Sequence, residues 1–270
     1  MLIRLNTIHH PTTLDEAIHL LTERNTRPLY GGMALHRESP THVTAVVDLS
    51  KLKLDRHRVF DAGFSLGSMM TLEKARLTCL ELAEKIPNAG FIGEILQLEA
   101  PINQRNTLTI GDVLVEQRPN SIFLTALTAL DAQVDANGWP RFIHDWLTAP
   151  KREVQQALIT EIALEKGTAT ARHAFEKVAR TPADDPIVGA VGYLDRDTNG
   201  KLHDVRLALC GAADHPIPLG AVDELLIETN GDVDRALAAL KLDPPSDHWG
   251  SSEYRTEMAK ILVRRVLAQL

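Results

Sequence analysis

Two glycine-bearing stretches hold the residue types best suited to chemistry. One is Gln104-Arg-Asn-Thr-Leu-Thr-Ile-Gly-Asp-Val-Leu114, which sets the hydroxyl of Thr109 close to Gly111; the other, upstream, is Leu29-Tyr-Gly-Gly-Met-Ala-Leu-His36. Consecutive N–H groups in a tight turn converge on one point and form an anion-binding nest, and glycine lets a phosphate approach the backbone closely. Most glycine loops only reverse the chain, so the meaning of these two depends on what surrounds them. Other chemistries have weaker support. The eleven histidines fall in no HExxH or comparable ligand spacing, and His9-His10 runs directly into Pro11 and a helix start; isolated surface histidines are the expectation. Cys79 and Cys210 are far apart and lack a CxxC spacing, which excludes an iron–sulfur or structural zinc site built by this chain alone. No nucleophile stands beside a base, and no carboxylate pair has a working spacing. Asp184-Asp185, set between Pro182 and Pro186, reads as a turn cap.

Composition narrows the class. With 270 residues, 44% apolar and 24% charged, the chain reads as an ordinary globular protein of two or three compact units. A formal charge of −7 gives no basic footprint for nucleic acid. The start, Met1-Leu-Ile-Arg-Leu-Asn, lacks an apolar signal core, and no later apolar run is long enough to span a bilayer. A reducing, cytoplasmic setting is therefore expected.

The elements that must hold the two loops can be placed by pattern. Thr13-Leu-Asp-Glu16 fits a capping box, and Leu14, Ala17, Ile18 and Leu21 follow at helical spacing. Residues 27–30 read as a strand that delivers the chain into the Gly31-Gly32 turn, and residues 43–49 as a buried strand. Further on, residues 58–68 read as one strand, Thr71 caps a helix to about Ile86, and residues 91–98 form a short helix stopped by Pro101. The stretch from 104 to about 115 reads as a loop. Ser121 caps a helix over 122–130, and Asn137-Gly138 joins two strands in a two-residue hairpin. Residues 154–164 read as a strand. Strands over 168–179 and 187–194 follow, with helix an alternative for 174–180. Asp197-Thr-Asn-Gly200 turns into a partner strand over 202–209. Helices over 218–228, 233–240 and 253–270 close the chain, the last capped by Ser251 or Ser252. The divisions expected are 1–53, 54–166 and 167–270.

In this order the features resemble a known family. Tyr30-Gly-Gly-Met-Ala-Leu35, Val43-Thr-Ala-Val-Val-Asp-Leu-Ser-Lys-Leu52, Leu66-Gly-Ser-Met-Met-Thr-Leu72, Arg105-Asn-Thr-Leu-Thr-Ile-Gly111, Leu127-Thr-Ala-Leu-Asp-Ala-Gln-Val134 and Ser251-Ser-Glu-Tyr-Arg255 are similar to segments of the FAD-binding medium subunit of the molybdenum hydroxylases, the group of xanthine dehydrogenase and aerobic carbon monoxide dehydrogenase. The resemblance implies an α+β fold, with two N-terminal α/β subdomains forming a PCMH-type FAD-binding region and a C-terminal antiparallel sheet with helices. It implies FAD as cofactor, and as partners an iron–sulfur subunit and a molybdopterin subunit. Electrons arriving from iron–sulfur clusters would pass through the flavin to an external acceptor. By the same resemblance Tyr30, Gly31, Gly32, Met33, Ala34 and Leu35 would face Asn106, Thr109, Ile110, Gly111 and Asp112 across the FAD diphosphate, with Ser121 near the ribose. No catalytic residue or metal ligand is implied on this chain.

Several positions depart from the family pattern. Met33 and Ala34 stand where the first loop usually continues with small polar side chains. Asp112 replaces the second glycine of the second loop, adding a β-carbon and a negative charge where a dianion would lie. Asn120-Ser121-Ile122 lacks the family's aspartate. A flavin-free structural or assembly subunit is the alternative these departures raise.

Overall fold

The computed structural model describes residues 4–182 and 184–270; Met1–Ile3 and Ala183 lie outside them. The first unit contains β1 (Thr7–His9), α1 (Leu14–Leu21), β2 (Thr26–Leu29), α2 (Met33–Glu38) and β3 (Ala45–Asp48). Its three strands lie in the order β1-β3-β2, all parallel. Parallel neighbours need crossovers, and α1 and the α2 segment supply them. Thr13 caps α1 by accepting from the Glu16 amide, while the Glu16 carboxylate reaches the Thr12 amide, which fixes the helix start. β1 and α2 were not expected from the sequence pattern; both are too short for periodicity to declare them.

The second unit begins with β4 (His57–Phe60) and β5 (Gly63–Gly67), continues through α3 (Leu72–Leu82), α4 (Pro87–Glu99), α5 (Ile102–Arg105), α6 (Ile110–Glu116) and α7 (Ile122–Ala129), and ends with β6 (Gln133–Ala136), β7 (Trp139–Phe142), α8 (Ile143–Leu147), α9 (Lys151–Gln156) and β8 (Ile159–Glu165). Its five strands form an antiparallel sheet in the order β4-β5-β8-β6-β7. The expected single strand over 58–68 is a hairpin, because Phe60 pairs with Gly63 and the chain reverses at Asp61-Ala62. Likewise 154–164 is not one strand, since its first residues belong to α9 and pairing starts only at Ile159. The Asn137-Gly138 hairpin is present, both residues holding positive φ (56° and 80°) as a two-residue turn requires.

The third unit has β9 (Arg172–Val178), β10 (Val188–Arg196), β11 (Leu202–Cys210), β12 (Ile217–Pro218), α10 (Gly220–Glu228), α11 (Val233–Ala238) and α12 (Ser252–Gln269). Its sheet runs β12-β11-β10-β9, fully antiparallel, with residues 174–178 in the strand rather than in a helix. Ala259, Leu262, Val263 and Val266 of α12 are buried in the same cluster as Leu207 and Leu209. Val191, Tyr193 and Ala208 extend the main core of the first two units into this sheet, so all three units share apolar contact. The fold is thus α+β with a closing antiparallel sheet and helices, as expected. Among the described residues no helix is long and apolar enough to cross a membrane.

Candidate cofactor site: two glycine loops closed on Asp112

The stretch over 104–115 is not a plain loop. Thr109 is extended (φ −97°, ψ 163°) and N-caps α6: its hydroxyl accepts from the Asp112 amide at 3.2 Å while the Asp112 carboxylate accepts from the Thr109 amide at 3.1 Å. This reciprocal capping box satisfies two otherwise orphaned donors of the helix start. Thr-x-x-Asp ahead of an apolar run was the signal in the sequence, hidden behind the expectation that a glycine-containing stretch stays irregular. Ile110 and Gly111 are also tied to the hairpin region, donating to the carbonyls of Met70 (3.0 Å) and Ser68 (2.8 Å). The second loop is therefore rigidly seated between α3 and α6.

β2 delivers the first loop against it. Gly32 takes φ 85°, a left-handed conformation that glycine adopts without strain, and leads into α2. Tyr30 turns inward across Gly111. A Cβ on Gly111 would lie 2.2 Å from the Tyr30 ring, so glycine is required for this crossing. The Tyr30 hydroxyl donates to the Ala157 carbonyl (3.1 Å) and accepts from the Ile159 amide (2.8 Å), locking the first unit to the start of β8. Burial of that hydroxyl raises its pKa far above the usual phenol range and keeps it neutral.

Between the loops lies the Asp112 carboxylate, with the residue only 1% exposed. Its Oδ2 accepts from the Gly31 amide at 2.9 Å and from the Thr109 amide and hydroxyl at 3.1 and 2.9 Å; its Oδ1 accepts from the Ala34 amide at 3.1 Å. Two donors from each loop thus converge on one anion, as an anion nest predicts, and the anion is the chain's own. From the sequence, Asp112 looked like a charge facing a phosphate across the loop. Position N3 of a capping box instead turns the side chain inward, where it takes the donors itself. At the rim, Arg37 of α2 pairs with Glu116 at the end of α6 (2.8 Å) and donates to Gln104 (3.1 Å).

The twelve residues expected at the cofactor are placed unequally. Tyr30, Gly31, Ala34, Thr109, Gly111 and Asp112 come together in the closed clasp. Gly32 makes the turn and Met33 opens α2, leaning on the main core. Leu35 is buried in a small cluster with Val43 and Val46, and Ile110 in the main core, both beneath the loops. Asn106 is exposed at the end of α5. Ser121 caps α7 and donates to Glu99 (2.9 Å), a carboxylate that also accepts from the Phe123 amide (2.9 Å) and Arg118 (2.7 Å). Burial pushes the Glu99 carboxyl above its ordinary range, against the opposing pull of Arg118 and these hydrogen bonds. Ser121 is thus committed to a buried cluster of its own. Among the described residues no group of three or more His, Cys, Asp or Glu is arranged to hold a metal.

A support behind the second loop had no sequence signal. Glu73 on α3 accepts from Arg105 Nε at 2.6 Å and from Arg76; Arg105 also donates to the carbonyls of Gln97 (2.9 Å) and Ala100 (2.7 Å). This buried pair fixes the end of α5 two residues before Thr107, whose carbonyl packs against Gly31.

Two glycine loops that meet edge to edge between a parallel α/β unit and an antiparallel one, followed by an antiparallel sheet with helices, form a PCMH-type FAD-binding fold with its C-terminal domain. Comparison with known proteins agrees. Residues 4–164 match the FAD binding domain in molybdopterin dehydrogenase, and residues 173–270 match the CO dehydrogenase flavoprotein C-terminal domain. The chain is 25% identical to the glyceraldehyde dehydrogenase medium chain of Sulfolobus acidocaldarius, over 96% of this chain and 95% of that one. It is 27% identical to the carbon monoxide dehydrogenase medium chain of Afipia carboxidovorans, over 96% and 94% of the two chains. Its fold superposes on the crystal structure of Cu,Mo-CO dehydrogenase in its cyanide-inactivated form with a TM-score of 0.83 at 25% identity, covering 98% of both chains. The chain belongs to the family of FAD-binding medium subunits of the molybdenum hydroxylases.

That membership supports FAD as the cofactor. The clasp as it stands does not fit a diphosphate, because the Gly31 and Ala34 amides are already bound to Asp112. The space a β-carbon would take at Gly31 is filled by Asp112 Oδ2 and the Thr107 carbonyl, each 2.4 Å from that point. A cavity of about 560 Å³, edged by Arg24, Arg27, His42 and Arg152, lies elsewhere, between the end of α1 and α9.

Proposed function

We propose that this chain is the medium subunit of a cytoplasmic molybdenum-hydroxylase-type oxidoreductase, assembled with an iron–sulfur subunit and a molybdopterin subunit. The observation that carries this reading is the match of both family domains, in order, along nearly the whole chain. FAD, when bound, supplies the chemistry of the position: it accepts electrons singly and can release them as a pair to an external acceptor. The chain's own residues do the positioning. Tyr30 pins the first loop to β8, and the Glu73–Arg105 pair sets the end of α5 ahead of the second loop. On this reading the chain divides near residues 53 and 166, with the clasp between the first two parts.

A second reading, a flavin-free structural or assembly subunit, is favoured by one observation, the Asp112 carboxylate lying on the loop amides. Co-expression with candidate iron–sulfur and molybdopterin subunits tests both. A stable three-subunit complex that releases stoichiometric flavin on denaturation is the expected result. The same complex with no flavin selects the second reading, and failure to assemble with either partner refutes both.

A further inference from the structure

The chain carries its own anion in the place that its family gives to a cofactor anion. We propose that the Asp112 carboxylate is an internal latch that occupies the diphosphate nest, so that FAD binds this chain only in competition with it. The inference rests on the reading of the two loops as the family's FAD clasp. Four donors from two loops point at one carboxylate: the amides of Gly31, Ala34 and Thr109, and the Thr109 hydroxyl. With glycine at position 112 those donors would have no acceptor on that residue and would converge on an empty point, the arrangement that receives a phosphate. With aspartate there, the loops are joined directly. The nest is filled from within the fold, by a residue only 1% exposed.

The latch is held from two directions. Locally, position N3 of the capping box aims the side chain back at Thr109, so it cannot leave the nest without breaking the cap of α6. Across the interface, Oδ1 and Oδ2 bind α2 and the loop before it, 78 and 81 positions away. An entering diphosphate must take the Gly31 and Ala34 donors, expel the carboxylate and hold two negative charges apart from a third. Charge-assisted hydrogen bonds are the strong class, so the competition is severe rather than marginal. Met33 and Ala34 bring no polar side-chain atom to the loop, and Arg37 at the rim is already paired with Glu116.

The test uses the full chain as wild type, Asp112→Gly and Asp112→Asn, titrated with FAD and followed by quenching of flavin fluorescence; ADP serves as a competitor that carries the diphosphate without the isoalloxazine. The expected result is that Asp112→Gly binds FAD at least about tenfold more tightly than wild type, from release of charge-assisted bonds, and that ADP displaces FAD from it. Equal FAD affinities in wild type and a cooperatively folded Asp112→Gly chain would overturn the latch. Where Asp112→Gly does not fold, Asp112→Asn keeps the side-chain shape while removing the charge; it should show a smaller gain in the same direction, and no gain overturns the proposal. Absence of FAD binding in wild type and both folded variants also overturns it, since an opened nest would then bind nothing. Assembly with the partner subunits is untouched by any of these outcomes, which separates failure of the latch from failure of the medium-subunit reading.

Discussion

Replacing Glu73 with glutamine tests whether the second loop is held by a buried charge. Glu73 is 9% exposed, and its hydrogen bonds from Arg76 and then Arg105 hold its carboxyl down at about 2, against the opposing effect of burial. A carboxyl whose folded pKa is depressed contributes stability that is fully present above the unfolded pKa and is lost as pH falls through the folded one. From 4.5 to about 2 the full contribution at pH 7 is about 3 kcal/mol, at 1.36 kcal/mol per unit. At pH 3 linkage leaves about 1.5 kcal/mol of it. Glutamine keeps the acceptor oxygen and removes the charge, leaving Arg105, 8% exposed, without its ionic partner. Urea unfolding of wild type and Glu73→Gln at pH 7 and at pH 3 should therefore give a midpoint difference worth about 3 kcal/mol at neutrality, falling by about half in acid, with unchanged slope m. A difference that is the same at both pH values, or under about 1 kcal/mol at pH 7, would refute the assignment of the charge to this pair.

Further outcomes follow from the same geometry. Tyr30→Phe removes both hydrogen bonds of the buried hydroxyl and leaves the Ala157 carbonyl and the Ile159 amide without that partner; it should cost about 2 kcal/mol in urea unfolding, most of it the desolvation of two stranded backbone groups. Asp223 accepts from the Leu207 amide at 3.1 Å, yet burial pushes its carboxyl up to about 8. A raised carboxyl pKa means the folded chain holds the extra proton, so stability falls as pH rises from about 4 to about 8. Asp223→Asn keeps the acceptor and removes the titration. Its melting temperature should match wild type near pH 4 and exceed it increasingly toward pH 8, by an amount worth at least about 1 kcal/mol; parallel pH profiles would show that the carboxyl is not raised.

Where the deciding contacts are local, the sequence already spells out the structure. Thr13, Thr71, Ser121 and Ser251 each accept from an amide three residues on, and each marks the helix start expected from its type. The Asn137-Gly138 turn sets the pairing of β6 with β7 because few other dipeptides tolerate two positive φ values. Where the deciding contact is distant, the pattern is silent. Residues 58–68 alternate well enough for one strand; the reversal at Asp61-Ala62 shows in the pairing of Phe60 with Gly63, and the sheet position of β5 is set by its pairing with β8, about a hundred residues on. The Tyr30 hydroxyl meets partners 127 and 129 positions away, and no local spacing announces them.

Asp112 combines both kinds of constraint, which is why its chemistry differs from its appearance in the sequence. Taken alone, an aspartate beside a glycine in a phosphate loop is a repulsive charge that can relax by turning toward solvent. Its spacing from Thr109 closes that escape: as the third residue of α6 it must point back along the helix axis to serve the cap. Facing that way, it meets the first loop. Gly32 caps α2 without a side-chain hydrogen bond, so the first loop offers the Ala34 amide no acceptor of its own, and the Gly31 amide reaches the Thr109 hydroxyl of the second loop at 3.3 Å. The buried Ala34 amide requires a partner, and this carboxylate supplies it at 3.1 Å while also accepting from the amide of the more exposed Gly31 at 2.9 Å. One side chain thus both fills the nest and satisfies the loop that lines it. The clasp can therefore hold its glycines, its threonine cap and its closed form without a flavin, and Asp112→Gly would remove the anion while leaving those loop residues in place.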